Sequence, residues 1–286
     1  MKKVILSSNP YRDKNFNTLR QAKQLLEAQG MECKVCLVFD VEQKNDLPRD
    51  IELSSMDEAL KGAELLICFG GDGTVLHASK DATKAGIPVL GVNIGNMGYL
   101  TEVDSGDLEI LTRLAKDDYF LERRMMLQVQ VRREGQIIFD DIALNDAVVT
   151  KSAVARTVHL SVASDEQHPI VISGDGVIVC TPTGSTAYCM SAGGPLVEPT
   201  ARCIVVTPIC SHDLMSKSFV LSAGRTVSIR SARQGRKTAY LSLDGGRALR
   251  LLSSDTVLIR QAAFDTQFLH LRDRSMFEII NAKFRK

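Results

Sequence analysis

The sequence predicts an α/β N-terminal domain with a parallel sheet, followed by an all-β C-terminal domain, with the C-terminal segment returning to the first domain. Three observations carry this expectation. Short apolar runs alternate with helical patterns up to about residue 121. Beyond that point, short segments rich in Val, Ile and Thr alternate with polar residues and are separated by turn formers. The end, Ser275 to Asn281, is again compatible with a helix. The expected division is 1–121 with 268–286 for the first domain and 122–267 for the second.

In the first domain Val4 to Ser7 reads as a strand. Phe16 to Gln29 carries Leu19, Ala22, Leu25 and Leu26 at helical spacing and stops at Gly30. Glu32 to Phe39 reads as the next strand. Ser55 and Glu58 form a capping box that opens a short helix ending near Gly62. Leu65 to Phe69 is a buried strand, Thr74 to Ala85 a helix closed by Gly86, and Ile87 to Val92 another strand. Such a series predicts a parallel sheet with helices on both faces, and ligands beyond the carboxyl ends of its strands. In the second domain the expected strands are Met126 to Val131, Gln136 to Phe139, Val158 to Val162, Val220 to Leu221, Thr226 to Ile229, Thr238 to Leu243 and Thr256 to Ile259.

Between the third strand and its helix stands Gly70-Gly71-Asp72-Gly73-Thr74. Glycines at a strand-to-helix turn let a ligand approach the backbone, and free N–H groups there suit phosphate oxygens. Asp72 would repel phosphate if anion binding were the only task. It is better explained as a base, or as a group that positions a metal, for phosphoryl transfer to a hydroxyl. Gly-Gly-Asp-Gly alone is also compatible with an ordinary turn. The chain has no Walker loop and no Gly-x-Gly-x-x-Gly fingerprint, since Leu76 stands at the third glycine position. The segment Gly91 to Tyr99 falls at a second strand end.

Composition narrows the partners. The 286 residues carry 35 basic and 34 acidic side chains, a net charge of +1, so neither nucleic acid nor a membrane surface is indicated. No apolar run is long enough to span a bilayer, and the N-terminus does not read as a signal peptide. Seven scattered cysteines indicate reduced thiols and a cytoplasmic location. Cys33 and Cys36 lie in one expected strand and point to opposite faces, which favours a structural role over zinc or redox chemistry.

Polar clusters mark the second domain. Asn145-Asp146 sits between apolar pairs and can read ribose hydroxyls or a base edge, although taken alone a loop or bulge with local hydrogen bonds explains it better. Gly174-Asp175-Gly176 leads into an apolar run that ends at Thr181-Pro182-Thr183-Gly184-Ser185-Thr186-Ala187-Tyr188-Cys189-Met190-Ser191-Ala192-Gly193-Gly194-Pro195. Hydroxyls, small residues and one tyrosine suit a stacked base and several hydrogen-bonded oxygens. Gly184-Ser185-Thr186-Ala187-Tyr188 is not a serine-hydrolase elbow.

In this order and spacing these motifs resemble the NAD kinase family over nearly the whole chain, including Gly91 to Leu100 and Leu243-Asp244-Gly245. The glycine–aspartate motif is shared with lipid kinases and phosphofructokinases. The Thr-Pro-Thr-Gly-Ser-Thr-Ala-Tyr segment is far more specific. The resemblance implies ATP as phosphoryl donor, a divalent ion such as Mg²⁺, and NAD as acceptor. It implies Asp72 as base toward the ribose 2′-hydroxyl, with Gly70, Gly71, Gly73 and Thr74 as the phosphate turn. It implies Asn145, Asp146, Asp175, Thr186, Ala187, Tyr188 and Ser191 as NAD-binding positions, together with His77 and Arg156. No protein ligand set for a metal is assigned. The family also implies a homo-oligomer, a tetramer or dimer, in which a neighbour helps complete each site. Two departures stand out: Ser173 where the family often has arginine, and Gly246 where it often has a polar amide. They bear on the diphosphate and nicotinamide side of recognition. Two other functions fit parts of the chain. A kinase for a lipid or sugar hydroxyl would share only the glycine–aspartate loop, and a lipid kinase should show a membrane-facing patch, which is not found. A non-catalytic NAD-binding regulator would not need Asp72.

Overall fold

The computed structural model describes residues 1–37, 47–48, 50–95, 98–152, 157–165, 167–213, 217–232 and 239–284. Expected strand residues Val38, Phe39 and Thr238 and the candidate Arg156 lie outside these. The chain divides into two compact units, Met1–Arg123 with Thr266–Lys286, and Arg124–Asp265.

The first unit runs β1 (Lys3–Ser8), α1 (Asn17–Ala28), β2 (Glu32–Cys36), α2 (Met56–Leu60), β3 (Leu65–Gly70), α3 (Asp72–Lys84), β4 (Val89–Asn93) and β5 (Val103–Asp104). These strands form a parallel sheet, β5 and β3 each pairing β4, with β1 and β2 continuing beyond β3. Parallel strands are covered on both faces, which is why β1 and β3 read as unbroken apolar runs. Val4, Leu6, Leu65, Ile67 and Phe69 share a core with Leu19, Ala22 and Leu26 of α1 and with Leu108, Leu111 and Leu114 of a 3₁₀ segment. Ile5, Leu66 and Cys68 alternate to the other face, where α3 packs on β3 and β4 through Val75, Ala78 and Ala82. The N-cap half of the predicted capping box is present: Ser55 Oγ accepts the Glu58 N–H at 3.3 Å.

The second unit holds β6 (Phe120–Arg133, from Arg124), β7 (Gln136–Ala143), β8 (Asp146–Lys151), β9 (Val158–Ser164), β10 (Ile170–Gly174), β11 (Gly176–Cys180), α4 (Tyr188–Ser191), β12 (Cys203–Ile209), β13 (Phe219–Ser222), β14 (Val227–Ser231), β15 (Ala239–Leu243), β16 (Leu249–Leu251) and most of β17 (Thr256–His270). One antiparallel sheet has the order β13-β12-β11-β8-β15-β16. Antiparallel neighbours β10-β9-β14-β17, with the β6–β7 hairpin on β17, supply the facing layer. The core between them includes Val149, Val177, Val179, Val206, Leu160, Val162 and Ile229. Ile178 and Cys180 alternate outward into a second small core with Cys189 and Val205. β12 and β11 are therefore buried on both faces, and β12 is a strand that polar alternation does not reveal. β17 extends far past its expected end at Ile259, and its last residues join the first unit, where Phe268 pairs Val89. After it comes α5 (Met276–Phe284).

The end of β17 is fixed by a buried ion pair within the first unit. Glu102 Oε1 accepts the N–H groups of Leu271 and Arg272 at 2.6 and 2.7 Å. Its other oxygen lies 2.6 Å from His270 Nδ1, and Glu122 lies 3.7 Å from Nε2. Burial lowers the His270 pKa, but the close contact with Glu102 and the charges of Glu102 and Glu122 outweigh it and push the group up to about 9. The charged imidazole therefore stabilises the fold fully below its unfolded pKa of about 6.5, and this contribution is lost as pH rises through about 9. His270→Gln is expected to cost about 3 kcal/mol at pH 6 and much less at pH 10. Urea unfolding at the two pH values checks this, and an equal cost at both contradicts it.

Candidate functional site

In the first unit the site is built where β3 hands over to α3. Gly71 precedes the helix in an extended conformation and supplies no side-chain cap, so the N–H groups of Asp72 and Gly73 have no partner within the helix. A Cβ at Gly73 would meet nothing within 4 Å, and Gly73 is exposed. Thr74 instead turns inward: it is buried, and Asn9 Nδ2 donates to its hydroxyl at 3.3 Å. Its backbone N–H donates to Gly71 O at 2.9 Å, closing the turn.

Asp72 is the first residue of α3. Its carboxylate accepts the N–H of Tyr99 at 2.8 Å and of Leu100 at 2.9 Å. A Cβ at Gly98 would overlap Asp72 Oδ1, so only glycine fits there. The side chain keeps 33% of its surface exposed. A carboxylate offers about four acceptor positions, and two remain beyond these bonds. Lys283 of α5 places Nζ 3.8 Å from Asp72 Oδ2 and 3.9 Å from the centre of the Tyr99 ring. Burial, then the Asp72 charge, raises the Tyr99 pKa. His77 lies on the exposed side of α3, one turn beyond Gly73.

In the second unit a second carboxylate organises the backbone. Asp244, in a left-handed turn at φ 52°, accepts the N–H groups of Leu144, Asn145 and Asp146 at 2.9, 2.8 and 3.0 Å. Asn145 O accepts the Thr181 N–H at 2.9 Å, and Thr181 Oγ1 donates to Leu144 O at 2.5 Å. A Cβ at Gly184 would overlap Asn145 O. Asn145, Asp146 and the segment from Thr181 are thereby held together. That segment is a 3₁₀ turn, Thr183–Thr186, followed by α4. Ser185 Oγ bonds both N–H and C=O of Val197 at 3.0 and 3.2 Å. Tyr188 and Ser191 are exposed, and Thr186 and Ala187 are half-buried. Buried Asn145 Oδ1 and Thr183 Oγ1 have no hydrogen-bond partner among the described residues, and such groups cost free energy unless something satisfies them. Asp146 is buried, and burial, then the charges of Asp244 and Cys189, push its carboxyl up to about 7.

Asp175 is placed elsewhere. It precedes β11 while Thr181 follows it, so about 20 Å of extended chain separates them. There Asp175 pairs with Lys151 at 2.5 Å. Ser173 Oγ bonds His159 Nδ1 at 2.7 Å instead of offering a long cation. Gly246 closes the turn after Asp244, donating to Leu243 O at 2.8 Å.

Residues 5–119 match the ATP-NAD kinase N-terminal domain and residues 144–271 match the ATP-NAD kinase C-terminal domain. The chain belongs to the ATP-NAD kinase family. It is 32% identical over 284 residues to the NAD kinase of Ruminiclostridium cellulolyticum, covering 99% of this chain and 98% of that one. Two solved structures share the fold. A yeast NADH kinase complexed with NADH superposes with TM-score 0.85 at 21% identity, over 98% of this chain and 86% of that one. An NAD kinase from Archaeoglobus fulgidus in complex with ATP gives TM-score 0.76 at 23% identity, over 99% of each chain.

Sequence reasoning did not single out Lys151 or Lys283, and it named Thr181, Tyr99 and Asp244 only within longer segments. Asp244 carried a signal, an acid before Gly245-Gly246, which reads first as a turn. Lys283 carried none: only folding brings it beside residue 72.

Proposed function

We propose that this chain transfers the γ-phosphate of ATP to the 2′-hydroxyl of the adenosine ribose of NAD, giving NADP. Membership of the ATP-NAD kinase family supports the substrate pair. The observation that carries the residue assignment is Asp72: a carboxylate at the glycine turn, pinned by two N–H groups yet one-third exposed. In this reading the 2′-oxygen attacks the γ-phosphorus, the bond to the β–γ bridging oxygen breaks, and the hydroxyl proton passes to Asp72. ADP leaves. Gly70, Gly71 and Gly73 let the phosphates reach the backbone at the start of α3, and most of the rate comes from positioning and charge stabilisation.

Asn145, Asp146, Thr186, Ala187, Tyr188 and Ser191 bind NAD in this proposal. The orphaned Asn145 Oδ1 and Thr183 Oγ1 support a polar ligand there. His77 and Arg156 remain candidate dinucleotide contacts on the strength of the resemblance. The described residues hold no group of three or more His, Cys, Asp or Glu able to bind a metal ion. They do not fit a protein-built Mg²⁺ cage, and no step is assigned to one. Mg²⁺ is expected to arrive on ATP phosphate oxygens.

All seven cysteines are free thiols, and among the described residues no helix is long and apolar enough to cross a membrane. The free thiols support a reducing compartment such as the cytoplasm. A homo-oligomer built through the β unit accounts for its exposed apolar edge strands, Phe219 and Val220 on β13 and Ile170 and Val171 on β10. The resemblance implies that a neighbour helps complete each site, and in this reading Asp175, at the far end of β11 from Thr181, serves a neighbouring copy. Mixing inactive Asp72→Asn and Asp175→Ala chains is then expected to restore part of the activity. A mixture as inactive as its components contradicts shared sites.

Asp72→Asn tests the base directly. It is expected to lower kcat about 10²–10⁴-fold, with NAD affinity changed much less. Asn accepts from one N–H and presents its own amide to the other, so stability should also fall by about 1–3 kcal/mol. High Mg²⁺ should not restore kcat. By calorimetry, Tyr188→Ala should weaken NAD binding by about 1–3 kcal/mol. Near-native kcat in Asp72→Asn removes Asp72 from catalysis.

A further inference from the structure

We infer that Arg12 and Lys283 are the two cations that grip the donor's phosphates at the glycine turn. The inference rests on the kinase reading and adds the residues that would hold ATP there.

β1 and β3 are parallel neighbours, so the chain leaving β1 emerges beside Gly70 and Gly71. The loop it forms is braced. Asn9 N–H donates to Phe69 O at 2.9 Å, and Asn9 O accepts from Arg12 and Asp13 N–H at 3.0 and 2.8 Å. Buried Asp13 accepts from Ser8 Oγ and from the N–H groups of Thr18 and Leu19, at 2.8, 2.9 and 3.1 Å. Arg12 is therefore presented from a fixed backbone. Its guanidinium lies over the turn, with Nη1 3.0 Å from where a Cβ on Gly71 would stand and 3.7 Å from one on Gly95. No acidic side chain pairs with it among the described residues. A planar guanidinium held against a glycine turn, with its donors uncommitted, matches the oxygens of a phosphate chain.

Lys283 comes from the opposite end of the sequence. α5 opens with a reciprocal capping box, Ser275 N–H to Glu278 Oε2 at 2.9 Å and Glu278 N–H to Ser275 Oγ at 3.2 Å. Near its other end the ammonium stands on the Tyr99 ring, 3.9 Å from its centre. An aromatic face holds a cation without neutralising it. The 3.8 Å contact to Asp72 is longer than a hydrogen bond, and both Asp72 oxygens already accept backbone N–H groups. The ammonium thus keeps its donors for an incoming anion. A phosphate chain entering beside Asp72 meets a carboxylate that repels it, and a cation within 4 Å of that carboxylate offsets the repulsion. Arg12 supplies the second positive charge at the adjoining residue, Gly71.

The full-length chain and its Arg12→Ala, Lys283→Ala, Lys283→Arg and doubly substituted Arg12→Ala/Lys283→Ala variants are titrated with ATP in Mg²⁺, and separately with NAD, by calorimetry. Thermal unfolding is followed in parallel. Each alanine variant is expected to bind ATP about tenfold more weakly, and the double variant about a hundredfold. ATP affinity should also depend less on salt. NAD affinity and unfolding temperature should not move, and Lys283→Arg should stay close to the native affinity. If the native chain binds ATP and the alanine variants bind it equally well, this inference fails and the kinase reading stands. Equal losses for ATP and NAD, or a loss that only follows a lowered unfolding temperature, also overturn it. If the native chain does not bind ATP, the kinase reading itself fails.

Discussion

Two backbone N–H groups, from Tyr99 and Leu100, end on the Asp72 carboxylate, and the geometry of the turn depends on that contact. It fastens the loop after β4 onto the first turn of α3. A helix normally caps its own first N–H groups with a side chain at the preceding residue. Here that residue is Gly71, with no side chain to offer, and the acid one position later faces away to bind a different segment. The N–H groups of Asp72 and Gly73 stay available, while the carboxylate that could compete for them is held in place. Gly98 is the steric condition of this arrangement, since any larger residue would displace Asp72.

The β unit repeats the device. Asp244 accepts three consecutive N–H groups and so fixes the corner from which Asn145 and Asp146 project. Thr181 then ties that corner to the 3₁₀ turn and α4. Within the β unit the acid that shapes the backbone differs from the one assigned to the ligand: Asp244 is spent on N–H groups, while Asp146 is buried and its carboxyl pKa is pushed up to about 7. Burying it among Asp244 and Cys189 is costly, and a group retained at such a cost is a candidate for function.

Much of this was legible in the sequence, for physical reasons. The β3–turn–α3 unit showed because a fully buried parallel strand is an unbroken apolar run and glycines mark its end. α3 starts at Asp72, two residues before the expected Thr74, because helix periodicity does not reveal a glycine cap. The two-layer β unit showed through alternation, yet β12 did not: Cys-Ile-Val-Val-Thr-Pro-Ile is buried on both faces and contains Pro208. The far half of β17 was hidden by Gln261, Asp265 and Gln267, which interrupt its apolar pattern. Residues whose partners lie far along the chain were the least legible. Asp72 meets Tyr99 and Lys283, and Asp244 meets Asn145, only once each unit has folded, and no local pattern encodes those pairings.

The reaction proposed for this chain is phosphorylation of the adenosine 2′-hydroxyl of NAD by ATP. Incubation of the purified chain with NAD, ATP and Mg²⁺, followed by phosphorus NMR of the dinucleotide product, tests it most directly. The account predicts ADP and a new 2′-phosphomonoester on the adenosine ribose in equal amounts. ATP consumption without a phosphorylated dinucleotide, or transfer to a lipid or sugar hydroxyl with NAD untouched, would contradict it.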